Sequence, residues 1–157
     1  MDADQNVDPP MITGQVQARL DRARRLLDKL DCSCVIVGSD DAVTTCHRRG
    51  VIDLYEILVD NPTVLHGAVI ADKVVGKGAA AIMAFGRIAA VHSRVMSRAA
   101  ISLLRQEGIP AVYDTETSGI INRTGTGPCP VESLCADMST ASACLPAIAA
   151  FLQKKFP

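Results

Sequence analysis

The chain has 157 residues, 48% of them hydrophobic and 21% charged, with a formal net charge of -1. That is enough material for one substantial core and too little for two ordinary domains. Aromatic residues make up 3% of the chain and tryptophan is absent, so stacking platforms for bases are scarce, no global field draws polyanions, and nucleic acid is disfavoured as a partner.

No apolar run approaches the roughly 20 residues needed for a helix to span a bilayer, so no membrane partner is expected. Cys32, Cys34, Cys46, Cys129, Cys135 and Cys144 include no C-x-x-C pair. No secretory signal precedes them, so a cytoplasmic protein with reduced thiols is expected.

The polar stretch 1–12, with Pro9-Pro10, is expected to be a disordered leader, and 13–157 a single domain. Val16, Leu20, Ala23, Leu27 and Leu30 recur at steps of four and three, which predicts an amphipathic first helix. Its Arg19, Arg22, Arg24, Arg25 and Lys29 read as a solvated face. Two strand-like runs, from Cys32 to Val37 and from Ala42 to Cys46, flank the turn-forming Gly38-Ser39-Asp40-Asp41 and should pair as an antiparallel hairpin. Cys32 and Cys34 are expected to share one core-facing side of the first strand.

Val51, Leu54, Tyr55 and Leu58 mark a short helix that stops before Asn61-Pro62. The run from about Ile70 to Phe85 is apolar or small nearly throughout and predicts a buried helix, with Asp72, Lys73 and Lys77 near its start. Ile88 to Val95 has strand composition, Ser97 is placed to cap a helix running to Glu107, Gly108 to stop it, and Ala111 to Asp114 to form another strand. Strand, helix and strand make a βαβ unit with parallel strands. Helices from Pro130 and from about Ala141 to Gln153 complete a three-layer α/β/α sandwich around a mixed sheet.

Two segments carry the chemistry. If Asp72, Lys73 and Lys77 stand at a helix start, unpaired N–H groups and the helix dipole favour an anion there. Lys73 and Lys77, four apart, would share a face whose small residues leave room for a ligand. Asp72 is a candidate base, and equally a plain helix cap. In the second segment Gly125-Thr126-Gly127 could arrange N–H groups around a phosphate or carboxylate, with Asn122 and Arg123 adding donors.

Cys129 then precedes Pro130, a first-turn residue, and Glu132 follows in capping-box spacing. A thiol there is a candidate nucleophile. Cys129, Asp72, Lys73 and Glu132 are therefore the catalytic candidates, and Lys77, Asn122, Arg123, Gly125, Thr126 and Gly127 the ligand-binding ones. The ligand class these imply is a small anionic, nucleotide-like molecule. His47, His66 and His92 show no metal-ligand spacing, and Cys135 and Cys144 read as packing residues.

From about Gln17 to Met138 the chain resembles a bacterial and archaeal family of unknown function whose fold is similar to that of cytidine deaminases. The stretches from Cys32 to Val37, Ala71 to Lys77 and Ile121 to Glu132 carry the resemblance. The segment from Asp72 to Lys77 also resembles part of the formate dehydrogenase accessory sulfurtransferases. The first resemblance implies a deaminase-like sheet and a homo-oligomer, without fixing a reaction.

Zinc deaminases carry His-x-Glu at one helix start and Pro-Cys-x-x-Cys at the next. Here Ala71-Asp72-Lys73 falls at the first by element order, and Ser97 and Ala100 at the second. No cofactor is expected on that basis and ordinary zinc-dependent deamination is disfavoured. Thiol-dependent or hydrolytic chemistry, a non-catalytic ligand sensor, and a zinc enzyme with rearranged ligands through Cys129 and Glu132 stay open.

Overall fold

The structure is a computed structural model that describes residues 12–48, 51–120 and 129–155. The described residues form helix α1 (Gly14–Lys29), strands β1 (Cys34–Val37) and β2 (Val43–Cys46), helix α2 (Ile52–Asp60), strand β3 (Val69–Val75), helix α3 (Lys77–Phe85), strand β4 (Ala90–Ser97), helix α4 (Arg98–Gln106), strand β5 (Ala111–Thr117), and helices α5 (Pro130–Cys135) and α6 (Ala141–Lys155). A single 3-10 turn, Pro62–Val64, joins α2 to the loop before β3.

The strand order is β2-β1-β3-β4-β5. β1 is antiparallel to both its neighbours, whereas β3, β4 and β5 are parallel, as the βαβ reading requires. Among the described residues this is a mixed α/β protein with five strands and six helices. Helix α1 lies alone on one face, where Leu20, Ala23 and Leu27 meet Val35, Val37, Val69, Ala71 and Ala90. The other helices build the larger core on the opposite face. None of the described helices is long and apolar enough to cross a membrane.

The local signals behave as their chemistry dictates. Thr13 caps α1 by accepting from the Val16 N–H at 3.3 Å, and Ser97 caps α4 by accepting from the Ala100 N–H at 3.1 Å. Gly108, at φ 75°, takes the left-handed conformation that ends α4. The hairpin turn is closed by the Gly38 N–H donating to the Ala42 carbonyl at 2.8 Å. Two arginines of α1 are structural here and not merely solvated. Arg19 donates to Asp41 Oδ1 at 3.0 Å and to the Ser39 carbonyl at 2.9 Å, and Arg22 to the Asp41 carbonyl at 3.0 Å, pinning a turn in which Asp41 itself sits at φ 69°.

The expected helix from Ile70 to Phe85 is corrected. Its first half is strand β3, and the helix begins only at Lys77, after Gly76 as N-cap. A run that is apolar or small apart from a few charges fits a buried helix and a doubly covered strand equally. The β-branched Val69-Ile70 and Val74-Val75 decide for the strand, and Gly76 releases the chain into the helix. From Lys77 to Ala84 every residue of α3 is buried, because α2, α4, α5, α6 and the sheet surround it.

β3 and β4 share an irregularity. Ile70 and Asp72 on β3, and Val91 and Ser93 on β4, face the larger core, but so do Val75 and Met96, three positions on. Alternation therefore shifts by one residue in both strands at the same level, while their pairing, Asp72 with Ser93 and Val75 with Met96, is kept. Local bonds accompany the shift: the Val74 N–H donates to Asp72 Oδ1 at 3.4 Å, and Ser93 Oγ donates to the Val95 carbonyl at 2.6 Å. Cys32 precedes β1 and packs under α1, whereas Cys34 faces the larger core, so the two cysteines lie on opposite faces.

Candidate functional site

The parallel strands end where α3 and α4 begin, which in open α/β sheets is the usual side for a ligand. Helix α5 is docked against this junction. Gly76 and Gly78 admit it: a Cβ at Gly76 would lie 2.5 Å from Glu132 Oε2, and one at Gly78 would overlap Val131. The room beside these glycines is thus taken by α5.

Glu132 reaches across from α5, and its Oε2 accepts from the Lys77 N–H at the start of α3. The same oxygen accepts from Ser97 Oγ, the cap of α4, at 3.2 Å. A carboxylate between two helix N-termini matches the partial positive charge there. Lys77 returns the exchange. Its buried ammonium donates to the carbonyls of Met138 and, at 3.2 Å, Ala136, just past the C-terminal end of α5. Each helix thereby supplies the charge that the other's end requires.

This placement corrects several expectations. Glu132 does not close a capping box on Cys129, whose N–H donates instead to the Ile120 carbonyl at 2.7 Å. Lys77 does not share a helical face with Lys73, because Lys73 is on β3. Cys129 is the half-buried N-cap of a six-residue helix and makes no side-chain cap bond. Asn122, Arg123, Gly125, Thr126 and Gly127 lie outside the described residues.

Asp72 is likewise on the strand and caps no helix. It is the centre of a polar line across the sheet. Cys46, Cys34, Asp72, Ser93 and Tyr113 stand level on β2, β1, β3, β4 and β5, facing the larger core. Burial pushes the Asp72 carboxyl up to about 7, against the opposing pull of the Val74 and Lys73 N–H groups and the Lys73 charge. The adjacent Cys46 thiol and burial push the Cys34 thiol well above its usual value. Lys73 points to the α1 side; burial raises the Cys32 thiol there and the Lys73 charge opposes the rise. The catalytic candidates are therefore divided: Glu132 and Cys129 belong to the α5 junction, Asp72 to the mid-sheet line, and Lys73 to the other face.

The zinc set implied by the deaminase resemblance has no counterpart among the described residues. The true helix starts present Gly76, Lys77 and Gly78 on α3 and Ser97 and Ala100 on α4, with Glu132 as the one carboxylate between them. A lone carboxylate and a serine hydroxyl do not match the N/S ligands of a catalytic zinc site. Among the described residues no three His, Cys, Asp or Glu side chains are grouped to hold a metal.

A hollow of about 400 Å³ lies elsewhere, between β2 and α2. Within it Arg48 bridges Asp53 and Glu56, and Asp53 also accepts from the N–H groups of His47 and Arg48, each at 2.9 Å. Those bonds hold the Asp53 carboxyl below its usual value although burial acts the other way. A smaller hollow on the α1 face is lined by His92, a residue that spacing alone passed over. The signal available was a histidine inside the strand-like Ala90-Val91-His92-Ser93, two residues short of an arginine and at the level of a second parallel strand.

The mixed five-stranded sheet with helices on both faces defines an α/β protein of a recognisable kind. The chain belongs to the TM1506 family, described as a domain of unknown function (DUF1893), which it matches over residues 22–152. The crystal structure of a DUF1893 family protein (TM1506) from Thermotoga maritima is similar, with a TM-score of 0.79 and 21% identity over 92% of this chain and 95% of that one. At that identity the likeness shows the fold. No curated protein matches the chain.

Proposed function

We propose that this chain is a ligand-binding module of deaminase-like fold that takes a small anionic molecule at the α3–α4 junction, in competition with its own Glu132. The observation that carries this reading is the Glu132 carboxylate itself, an anion held by the Lys77 N–H and the Ser97 hydroxyl. A phosphate or carboxylate group would meet the same two donors and the same helix ends. Glu132 is half-buried, so it borders solvent from which a ligand can arrive.

A non-catalytic role is favoured over an enzyme by the division of the catalytic candidates. Asp72 and Lys73 point to opposite faces of the sheet, and the Lys77 ammonium is engaged by carbonyls of the fold. The deaminase-like reading is supported by the mixed sheet with helices on both faces. Assembly as a homo-oligomer belongs to the same reading.

Calorimetric titration with inorganic phosphate and with adenosine monophosphate tests it. Removing the internal competitor in Glu132→Ala should tighten binding at least tenfold over the unaltered chain, with Glu132→Gln intermediate. Equal affinity in all three proteins, or no saturable binding by any of them, would overturn the reading.

A further inference from the structure

We infer that Cys34 of β1 and Cys46 of β2 form a dithiol that a small external disulfide, such as oxidised glutathione, converts to an intramolecular disulfide, a modification that staples the edge strand to the sheet. The two residues are direct register partners on adjacent antiparallel strands, and both side chains face the larger core. Directly opposed residues of such a pair have Cα atoms about 4.5–5.5 Å apart, inside the range of about 4.4–6.8 Å that a disulfide spans. The Cys46 thiol lies beside that of Cys34. Cys32 packs instead on the α1 face, and Cys135 and Cys144 belong to α5 and α6.

Burial decides when the pair reacts. Cys34 and Cys46 are 2% and 3% exposed. The Cys46 thiol, and then burial, push the Cys34 thiol well above its usual value, so the closed sheet keeps it protonated and unreactive. β2 is the element that exposes the two sulfurs. It is four residues long, stands at the edge of the sheet, and among the described strands pairs with β1 alone. Val43 is exposed and Thr44 and Thr45 are half-buried, so the strand has little apolar surface of its own to hold it in place.

In the opened hairpin Cys46 gives its proton to solvent, and its sulfur attacks oxidised glutathione, breaking that S–S bond and releasing one glutathione thiolate. As the strands approach register again, the deprotonated Cys34 sulfur attacks the Cys46 sulfur of the mixed disulfide and releases the second glutathione. The protein loses two electrons and two protons, and the external disulfide takes them up as two thiols. The new bond closes the hairpin and fixes the strand that supplies Thr44 and Thr45 to one wall of the hollow between β2 and α2.

Incubation of the full, reduced chain with oxidised glutathione near pH 8, then alkylation of the remaining thiols and peptide mapping by mass spectrometry, tests this. The first intramolecular product should be lighter by two hydrogens, carry the Cys34–Cys46 link, unfold in urea at a higher midpoint than the reduced chain, and revert with dithiothreitol. In Cys46→Ala that product should not form. A folded chain that gains no Cys34–Cys46 link, a Cys135–Cys144 link that forms first, or a linked chain that unfolds at a lower midpoint than the reduced one would each overturn the inference.

Discussion

Glu132 and His92 stand on opposite faces of one sheet and show two ways of placing a polar group within a fold. Glu132 is only half-buried, yet its carboxylate is engaged by the Lys77 N–H and the Ser97 hydroxyl. His92 is almost wholly buried, yet Asp114 meets one ring nitrogen and nothing meets the other. Burial and closure are thus separate properties. Among the described residues the face with five helices leaves no buried side-chain nitrogen or oxygen without a partner, and the face with a single helix leaves one.

The largest test of the contrast concerns Asp72, a carboxyl buried on the helix-rich face. The unfolded chain releases the Asp72 proton near 3.8, and the folded chain holds it to about 7. Stability from this group is therefore complete below pH 3.8, falls as pH rises toward 7, and stays at its lower level beyond. Asp72→Asn, which cannot ionise, should abolish that decline and raise stability at pH 8 by up to about 4 kcal/mol. Urea unfolding at pH 5 and pH 8 checks it; equal pH dependence in variant and parent would show that this face hides no uncompensated charge.

A smaller loss should follow from separating α5 and α3. Gly78→Leu forces a side chain into the space of Val131, and overpacking of this kind costs about 1–3 kcal/mol. Thermal unfolding measures it, and an unchanged midpoint would mean that α5 is not seated as described. The smallest effect belongs to the α1 face, where the Arg19–Asp41 pair is partly exposed on the aspartate side. Arg19→Ala should cost under about 1 kcal/mol by the same measurement, with the loss shrinking in high salt.

The sequence made the hairpin, the βαβ unit and both helix caps legible because each rests on a local rule. Gly38-Ser39-Asp40-Asp41 can do little but turn, Ser97 caps α4 through its own hydroxyl, and Gly108 takes a conformation other residues avoid. The stretch before α3 reads as helix because its local cues conflict, the β-branched pairs against the spacing of its charges. Val69 to Phe85 offers no polar boundary, and the spacing of Asp72, Lys73 and Lys77 mimics a helix face while a strand end and a glycine lie between them.

The candidate site was half legible for a related reason. That the α3 start has room beside it follows from its small residues, and that a helix begins at Pro130 follows from a helix-entry motif. Which atoms meet does not, since Glu132 bonds a residue 55 positions away in preference to its own helix start. His92 was illegible for the same cause: its partner Asp114 lies across a βαβ crossover, 22 residues on.

The matched shift in β3 and β4 has an evolutionary corollary. Deleting one residue after Asp72 alone would restore simple alternation in β3, but it would slide Val75 out of step with Met96 and turn the two apolar strand ends toward opposite sides. Homologues in which one of these strands is shorter here should therefore carry a compensating deletion in the other, so that insertions and deletions at this level are inherited in pairs.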